Sequence, residues 1–222
     1  MPKKLEHDTP VLIIGAGGHG RVILDTLMSG GRKVVGFLDD NVALHGTEVN
    51  GVPVLGASAN AAEIAHSLAA AVIIGIGEDS IRAKMMNLLL ESNIALACAI
   101  HSSAVIAKDV VVPPGVVVMA GAVINTGVQL GLGSVVNTKA SLDHDVILGE
   151  GAHVMPGAVV TGGVSIGRYA VLGSGSVILP YRHVGDNAYV AAGAVVVENV
   201  PVDAIVMGVP AKFSKWRDPL IF

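Results

Sequence analysis

Among the eight histidines of this 222-residue chain, His144 has the neighbours that proton transfer needs. It sits in Leu142-Asp-His-Asp-Val146, between Asp143 and Asp145. An imidazole titrates near neutral pH, and a carboxylate bonded to one ring nitrogen fixes the tautomer and raises the basicity of the other. His144 with Asp145 therefore reads as a general base with its orienting partner; a solvated polar corner is the plainer alternative. His153 follows nine residues later in Gly151-Ala-His-Val-Met-Pro156, and its position alone shows no partner. His144, Asp145 and His153 could be pictured as metal ligands, but a base and its partner explain them with less. Cys98 is the single cysteine, in the apolar run Ile94-Ala-Leu-Ala-Cys-Ala-Ile100, and reads as a buried inert thiol.

The elements that hold these residues follow a period of six. Stepping by six from Ile100 to Val202 meets only aliphatic residues. Four places after each, the residue is small or β-branched except at Arg182. Neither 3.6 nor 2 divides this pattern, and a hexapeptide period is the signature of a parallel β-helix. If three short strands close one triangular coil, each aliphatic stacks on its counterpart eighteen residues later. About six coils at ~4.8 Å spacing make a prism roughly 29 Å long. Corners are expected at the positions just after the aliphatics, as at Gly131, Gly149, Gly167, Gly185, Asn125 and Asn137. Nine residues span one and a half faces, so His144 and His153 of one chain should not meet. Outward valines such as Val117, Val135, Val159 and Val171 would leave a monomer wet and favour self-association.

The first hundred residues differ. Val11-Leu-Ile-Ile14, then Gly15-Ala-Gly-Gly-His-Gly-Arg21, then an amphipathic stretch from Val22 to Met28 read as strand, glycine turn and helix. Val34-Val-Gly-Phe-Leu38 ends at Asp39 and Asp40, where a carboxylate can meet sugar hydroxyls, while amides at the helix start attract phosphate. Val52–Leu55 reads as a hairpin arm, Ala61 to Ala70 as a helix, Ala71 to Gly77 as a third parallel strand, and Ser80 to Ser92 as a helix with apolar Ile81, Met85, Leu88 and Leu89. One phosphate loop in about 95 residues is half of a dinucleotide fold, which favours a nucleotide-linked sugar over a nicotinamide cofactor. His7 precedes any element, His45 and His66 lie away from the glycine loop, and His101 and His183 lack an acidic neighbour at useful spacing; these five read as structural or solvated. The expected division is residues 1–98, a Rossmann-like nucleotide-sugar domain, and 99–222, the β-helix.

Composition narrows the partners. The chain is 52% hydrophobic, 3% aromatic and 14% charged, with 28 glycines, and 27 of its 36 valines lie after Ile100. A net charge of −4 with scattered cations leaves no basic face for nucleic acid. The uncharged stretch from Val110 to Thr138 carries prolines, amides and glycines and makes a poor spanning helix, so no membrane insertion is expected. The opening residues lack a secretory h-region, which predicts a cytoplasmic protein.

The hexads, with the exit segment Met207-Gly-Val-Pro-Ala-Lys212, resemble the hexapeptide-repeat acyltransferases. That resemblance implies a left-handed parallel β-helix, a homotrimer, and acyl-coenzyme A bound between neighbouring prisms. Gly-Ala-Gly-Gly-His-Gly, Leu-Asp-Asp, Gly-Ile-Gly-Glu-Asp-Ser-Ile-Arg and Ala-Ile-His-Ser-Ser-Ala together are similar to the NeuD/PglD-type sugar acetyltransferases across essentially the whole chain. By that resemblance Gly17, Gly18, His19, Asp39, Asp40 and Gly77 hold the nucleotide of an activated amino sugar, and Glu78 stands where many members carry Asn. His144 is implied as base with Asp145 enhancing it, His153 as a contact to the acetyl thioester, Ser174 and Ala192 as backbone contacts to pantetheine, and Lys212 as a phosphate contact.

The expected activity is acetyl-CoA-dependent N-acetylation of the 4-amino group of a UDP- or GDP-linked deoxyamino sugar in bacterial glycan or glycoprotein synthesis, without a metal. Two alternatives stay open. O-acetylation of sialic acid or a related sugar would use the same base, and a non-catalytic trimer could bind a nucleotide sugar without turnover.

Overall fold

A computed structural model describes residues 8–92 and 94–220, so His7 lies outside the described residues. The chain divides into two compact units, the first running to Ser102 and the second beginning at Ser103.

In the first unit, β1 (Val11–Ile14) and β5 (Ala71–Ile74) are apolar and buried at every position, as strands covered on both faces must be. The remaining elements are α1 (Gly18–Ser29), β2 (Val34–Leu38), β3 (Glu48–Val49), β4 (Val52–Gly56), α2 (Ala61–Ser67) and α3 (Asp79–Glu91). The sheet order is β3-β4-β2-β1-β5, parallel except for the β3–β4 hairpin, the arm expected at Val52–Leu55. Gly20 and Gly75 let α1 settle on the sheet, since a Cβ on Gly20 would strike the Gly15 carbonyl and one on Gly75 would meet the Gly20 backbone.

Two helices depart from expectation. α2 stops at Ser67, three residues early. α3 buries Arg82, Ala83, Met86 and Leu89, while Ile81 and Leu88 are 50% and 57% exposed. Apolar residues fill both sides of this helix, and the buried Asp79–Arg82 ion pair accompanies the inner one. Cys98 is half-buried, not enclosed, because its run alternates between covered and open positions.

The second unit is a stack of two-residue strands in parallel register of eighteen, with Val123 opposite Ser141 and Gln129 opposite Ile147. Its three sheets are a valine-rich face from Val105 through Val123, Ser141, Val159 and Val177 to Val195, a mixed face from Gln129 through Ile147 and Ser165 to His183, and a third face through Val117, Val135, His153, Val171 and Tyr189. The aliphatic of each hexad and the small residue four places on fill the interior. No strand forms at Val111–Val112, and Val202 is 54% exposed, so the regular stack is shorter than the eighteen hexads. The last strand pairs, Tyr189 with Ile205, tighten the register, and an antiparallel strand Lys212–Trp216 follows.

The corners fall three places after each aliphatic, two places later than the sequence pattern implied. Gly121, Gly127, Gly133, Gly157 and Gly163 have positive φ there, as do Lys139, Asp145, Tyr169, Tyr181 and Asn187. Gly131, Gly149, Gly167 and Gly185 instead form a stacked column where each Cβ would strike the backbone of the next coil. Among the outward valines, Val117, Val135 and Val171 are buried within the chain, and only Val159 of the four is exposed, at 39%. Among the described residues no helix is long and apolar enough to cross a membrane; Val110 to Thr138 is built of corners and short strands.

Candidate active site

In the first unit the β1–α1 loop opens the N-terminus of α1 with no side-chain cap and no acid in its first turn. Those amides are the donors an anion requires. Gly17 and Gly18 are exposed, and a Cβ on either would meet no atom of the described residues within 4 Å, so none of those residues occupies that side of the loop. Asp39 holds the loop: Oδ2 accepts from the Ala16 amide at 2.8 Å and Oδ1 from the Asn41 amide at 2.9 Å. Asp40 accepts from the Ser58 hydroxyl at 2.7 Å and amide at 2.9 Å, and these bonds, the hydroxyl first, hold its carboxyl below the usual range. His45 is not remote from this loop, since its Nε2 lies 2.7 Å from the Asp39 carbonyl. Gly77 packs against the His19 side chain, and its carbonyl accepts from Arg82 Nη1 at 3.3 Å. Glu78 caps α3 by accepting from the Ile81 amide at 2.8 Å and the Ser80 amide at 3.2 Å. Burial pushes its carboxyl up, but the bonds from the Ile81 amide and from the Ser80 hydroxyl and amide together hold it below the usual range. His101, expected to lack an acid, stands 3.9 Å from Asp25.

In the prism His144 lies at the corner between the valine face and the mixed face. Asp145, in the left-handed region at φ 59°, brings Oδ2 to 2.9 Å from His144 Nδ1. The bond to Asp145 raises the His144 pKa above its ordinary value, and the nearby Asp143 charge adds to it. With Nδ1 donating to Asp145, Nε2 keeps its lone pair. That nitrogen lies against Gly162, where any Cβ would collide with it. Asp143 fixes the backbone: its Oδ1 accepts from the His144 amide at 2.8 Å and from Asn125 Nδ2 at 3.0 Å, and the amide bond is the larger reason its pKa is lowered.

His153 is 3% exposed on the third face, where spacing alone showed no partner. Asn137 supplies one, with Nδ2 3.1 Å from His153 Nε2. The Asn137 Oδ1 already accepts from the Thr138 amide at 2.7 Å, so Asn137 donates to Nε2 and the ring proton belongs on Nδ1. Ser174 and Ala192 occupy one edge, between the third face and the valine face, where the Gly193 amide donates to the Ser174 carbonyl at 2.9 Å. Lys212 is exposed, with Nζ 3.9 Å from Glu198. The fold thus joins His144 to Asp145 and Ser174 to Ala192, and sets His144, His153 and Ser174 on different parts of the prism surface. Asn125 and Asn137 read in sequence only as corner residues and Gly162 does not stand out, although the eighteen-residue step places Asn125 beside Asp143 and Gly162 beside His144. Among the described residues no group of three or more His, Cys, Asp or Glu is gathered to hold a metal ion.

The PglD N-terminal domain family matches residues 10–89, and the bacterial transferase hexapeptide family (six repeats) matches residues 145–180. Among solved structures, PerB from Caulobacter crescentus in complex with CoA and GDP-perosamine is 35% identical with a TM-score of 0.87, covering 93% of this chain and 97% of that one. The acetyltransferase domain of PglB from Neisseria gonorrhoeae FA1090 in complex with acetyl coenzyme A is 33% identical, TM-score 0.85, covering 93% and 100%. WeeI from Acinetobacter baumannii AYE is 26% identical, TM-score 0.79, with the same coverage of 93% and 100%. No curated protein matches the chain.

Proposed function

The chain belongs to the NeuD/PglD-type family of hexapeptide-repeat sugar acetyltransferases, and from that premise we propose that it carries acetyl from acetyl-CoA to the 4-amino group of a nucleotide-linked deoxyamino sugar. The observation that carries this reading is the His144 corner: a carboxylate-oriented imidazole whose Nε2 retains its lone pair beside an unobstructed glycine.

The open amides of Gly17 and Gly18, with His19 and Gly77, receive the diphosphate. Asp39 and Asp40 order the loop and face the nucleotide. The amine nitrogen attacks the thioester carbonyl carbon while His144 Nε2 takes its proton. The new C–N bond forms, the C–S bond breaks, and the proton passes from His144 to the departing thiolate. Asp145 stabilises the imidazolium through Nδ1. Among the described residues neither a cysteine nor a serine stands at the His144 corner to form an acyl-enzyme, so both substrates must be bound together. His153 meets the acetyl-thioester region, Ser174 and Ala192 the pantetheine arm through their backbones, and Lys212 a phosphate. Loss of neither coenzyme affinity nor turnover in His153→Ala would remove His153 from this set.

We place the working enzyme in the cytoplasm as a homotrimer with sites between subunits. Val105 at 61% and Val159 at 39% exposure, in a column with Val123, Val177 and Val195, support burial of the valine-rich face against another copy. The separation of His144 from the Ser174–Ala192 edge supports completion of each site by a neighbour.

Thiol release from acetyl-CoA tests the assignment, comparing UDP- and GDP-linked 4-amino sugars with free sialic acid. Turnover with a nucleotide-linked amine, falling about 10²-fold or more in His144→Ala, is expected. Turnover with sialic acid alone would move the protein to O-acetylation.

A further inference from the structure

Two tyrosines occupy the same corner register of the prism, and only one has its position explained by the fold. Tyr169 and Tyr181 both have positive φ, at 56° and 58°, a conformation that disfavours bulky side chains. Both lay their rings over a glycine of the preceding coil, Tyr169 over Gly151 and Tyr181 over Gly163. Tyr169 is 9% exposed and its hydroxyl donates to Glu150 Oε1 at 3.1 Å. Tyr181 is 74% exposed, and its hydroxyl has no hydrogen-bond partner among the described residues. Glycine would sit at that corner more comfortably, as it does at Gly127 and Gly163 in the same column.

The column explains where the ring lies. Gly127, Asp145, Gly163 and Tyr181 succeed one another at eighteen-residue steps, so Tyr181 stands above the carboxylate that orients His144. The His144 ring rests against the α-carbon of Gly162 and the Tyr181 ring against that of Gly163. Neighbouring α-carbons are about 3.8 Å apart. The Gly162–Gly163 step therefore joins the base to an exposed aromatic ring on the C-terminal side of the same edge. Ser174 lies seven residues before Tyr181 and Ala192 eleven after it, on the other edge of the valine-rich face, hence at axial levels that bracket Tyr181.

We propose that Tyr181 is a coenzyme-binding residue, its ring forming a wall for the methylene and amide groups of the pantetheine arm next to the acetyl group. This rests on the acetyl-CoA reading above and adds to it a residue that neither motif nor period marks. An extended arm reaching the His144 corner from the levels of Ser174 and Ala192 passes the Tyr181 ring, which covers Gly163 on one side and is 74% exposed. The hydroxyl is available to an amide of the arm.

Tyr181→Gly, Tyr181→Phe and wild type decide the matter through three readouts: KM for acetyl-CoA, KM for the nucleotide-linked amine, and thermal midpoint. Tyr181→Gly should raise the acetyl-CoA KM about tenfold, leave the acceptor KM within about twofold, and unfold at an equal or higher temperature because the corner strain is relieved. Tyr181→Phe should retain most of the affinity. Equilibrium titration of desulfo-CoA gives the same contrast without turnover. An unchanged acetyl-CoA KM and desulfo-CoA affinity in Tyr181→Gly, or a rise confined to the acceptor KM, would overturn the proposal. Absence of turnover in wild type with every acceptor would instead undermine the parent reading, while desulfo-CoA binding would still test Tyr181.

Discussion

The two units prepare chemistry by opposite means. At the glycine loop the reactive groups are backbone amides, and the side chains around them act as braces: Asp39 ties Ala16 to Asn41, and Asp40 ties the next loop through Ser58. At the prism corner the reactive group is a side chain, and the backbone is the brace, held by Asp143 and stacked on Gly162. A loop that binds with amides must keep its face bare, whereas a corner that works with an imidazole must keep the neighbouring coil bare. Glycine therefore has a binding use in one unit and a clearance use in the other.

Substitutions at particular positions sharpen this contrast, beginning with the largest effect. Gly149→Ala drives a methyl into the Gly167 and Arg168 backbone, which cannot rotate away, and should lose about 3 kcal/mol of stability in denaturant melts of the prism. A loss below about 1 kcal/mol would show that the stacked column is more compliant than its spacing implies. Asp145→Asn should lower turnover about 10²-fold.

The pH profile of the same variant carries a sign. His144 must be neutral to accept a proton, and its bond to Asp145 holds its pKa above the ordinary value. Wild-type kcat/KM should therefore fall as pH drops through that raised pKa. In Asp145→Asn this acid limb should move to lower pH, and an unmoved limb would assign it to another group.

Gly18→Ala is the counterpart on the amide side. Its Cβ meets no atom of the described residues and alanine favours a helix, so the fold should be as stable or firmer while nucleotide-sugar binding weakens about tenfold by titration calorimetry. Equal affinity would mean that the bare face is not where the diphosphate sits. The smallest effect is expected at Gly157→Ala, a positive-φ corner with open space around it, at about 1 kcal/mol or less.

The prism was legible in sequence because every coil repeats one environment, so Val118, Val136 and Val154 report the same inward position again and again. What the repeat hid was the phase of its corners: Gly131 and Gly133 look alike in a sequence, yet one answers a close approach and the other a backbone angle. The α/β unit lacks such repetition. α3 offered apolar residues on both sides, and tertiary packing chose Met86 over Ile81. His144 with Asp145 could be read because the two are adjacent in sequence. Asn137 beside His153 could not, because sixteen residues and a corner separate a pair that only the fold brings together.

The strand Lys212–Trp216 has a consequence for the solubility of the folded chain. A stack of parallel strands is a template that any similar strand could extend, and uninterrupted growth of that kind is how fibres form. Here Lys212–Trp216 runs antiparallel to its neighbour, the pairing slips between Ile205 and Val206 of that neighbour, and Lys212 and Lys215 stand on an exposed edge. Reversed polarity, a broken ladder and positive charge each deny an incoming strand its register, so the coil that ends the enzyme's repeat also terminates it as a polymer.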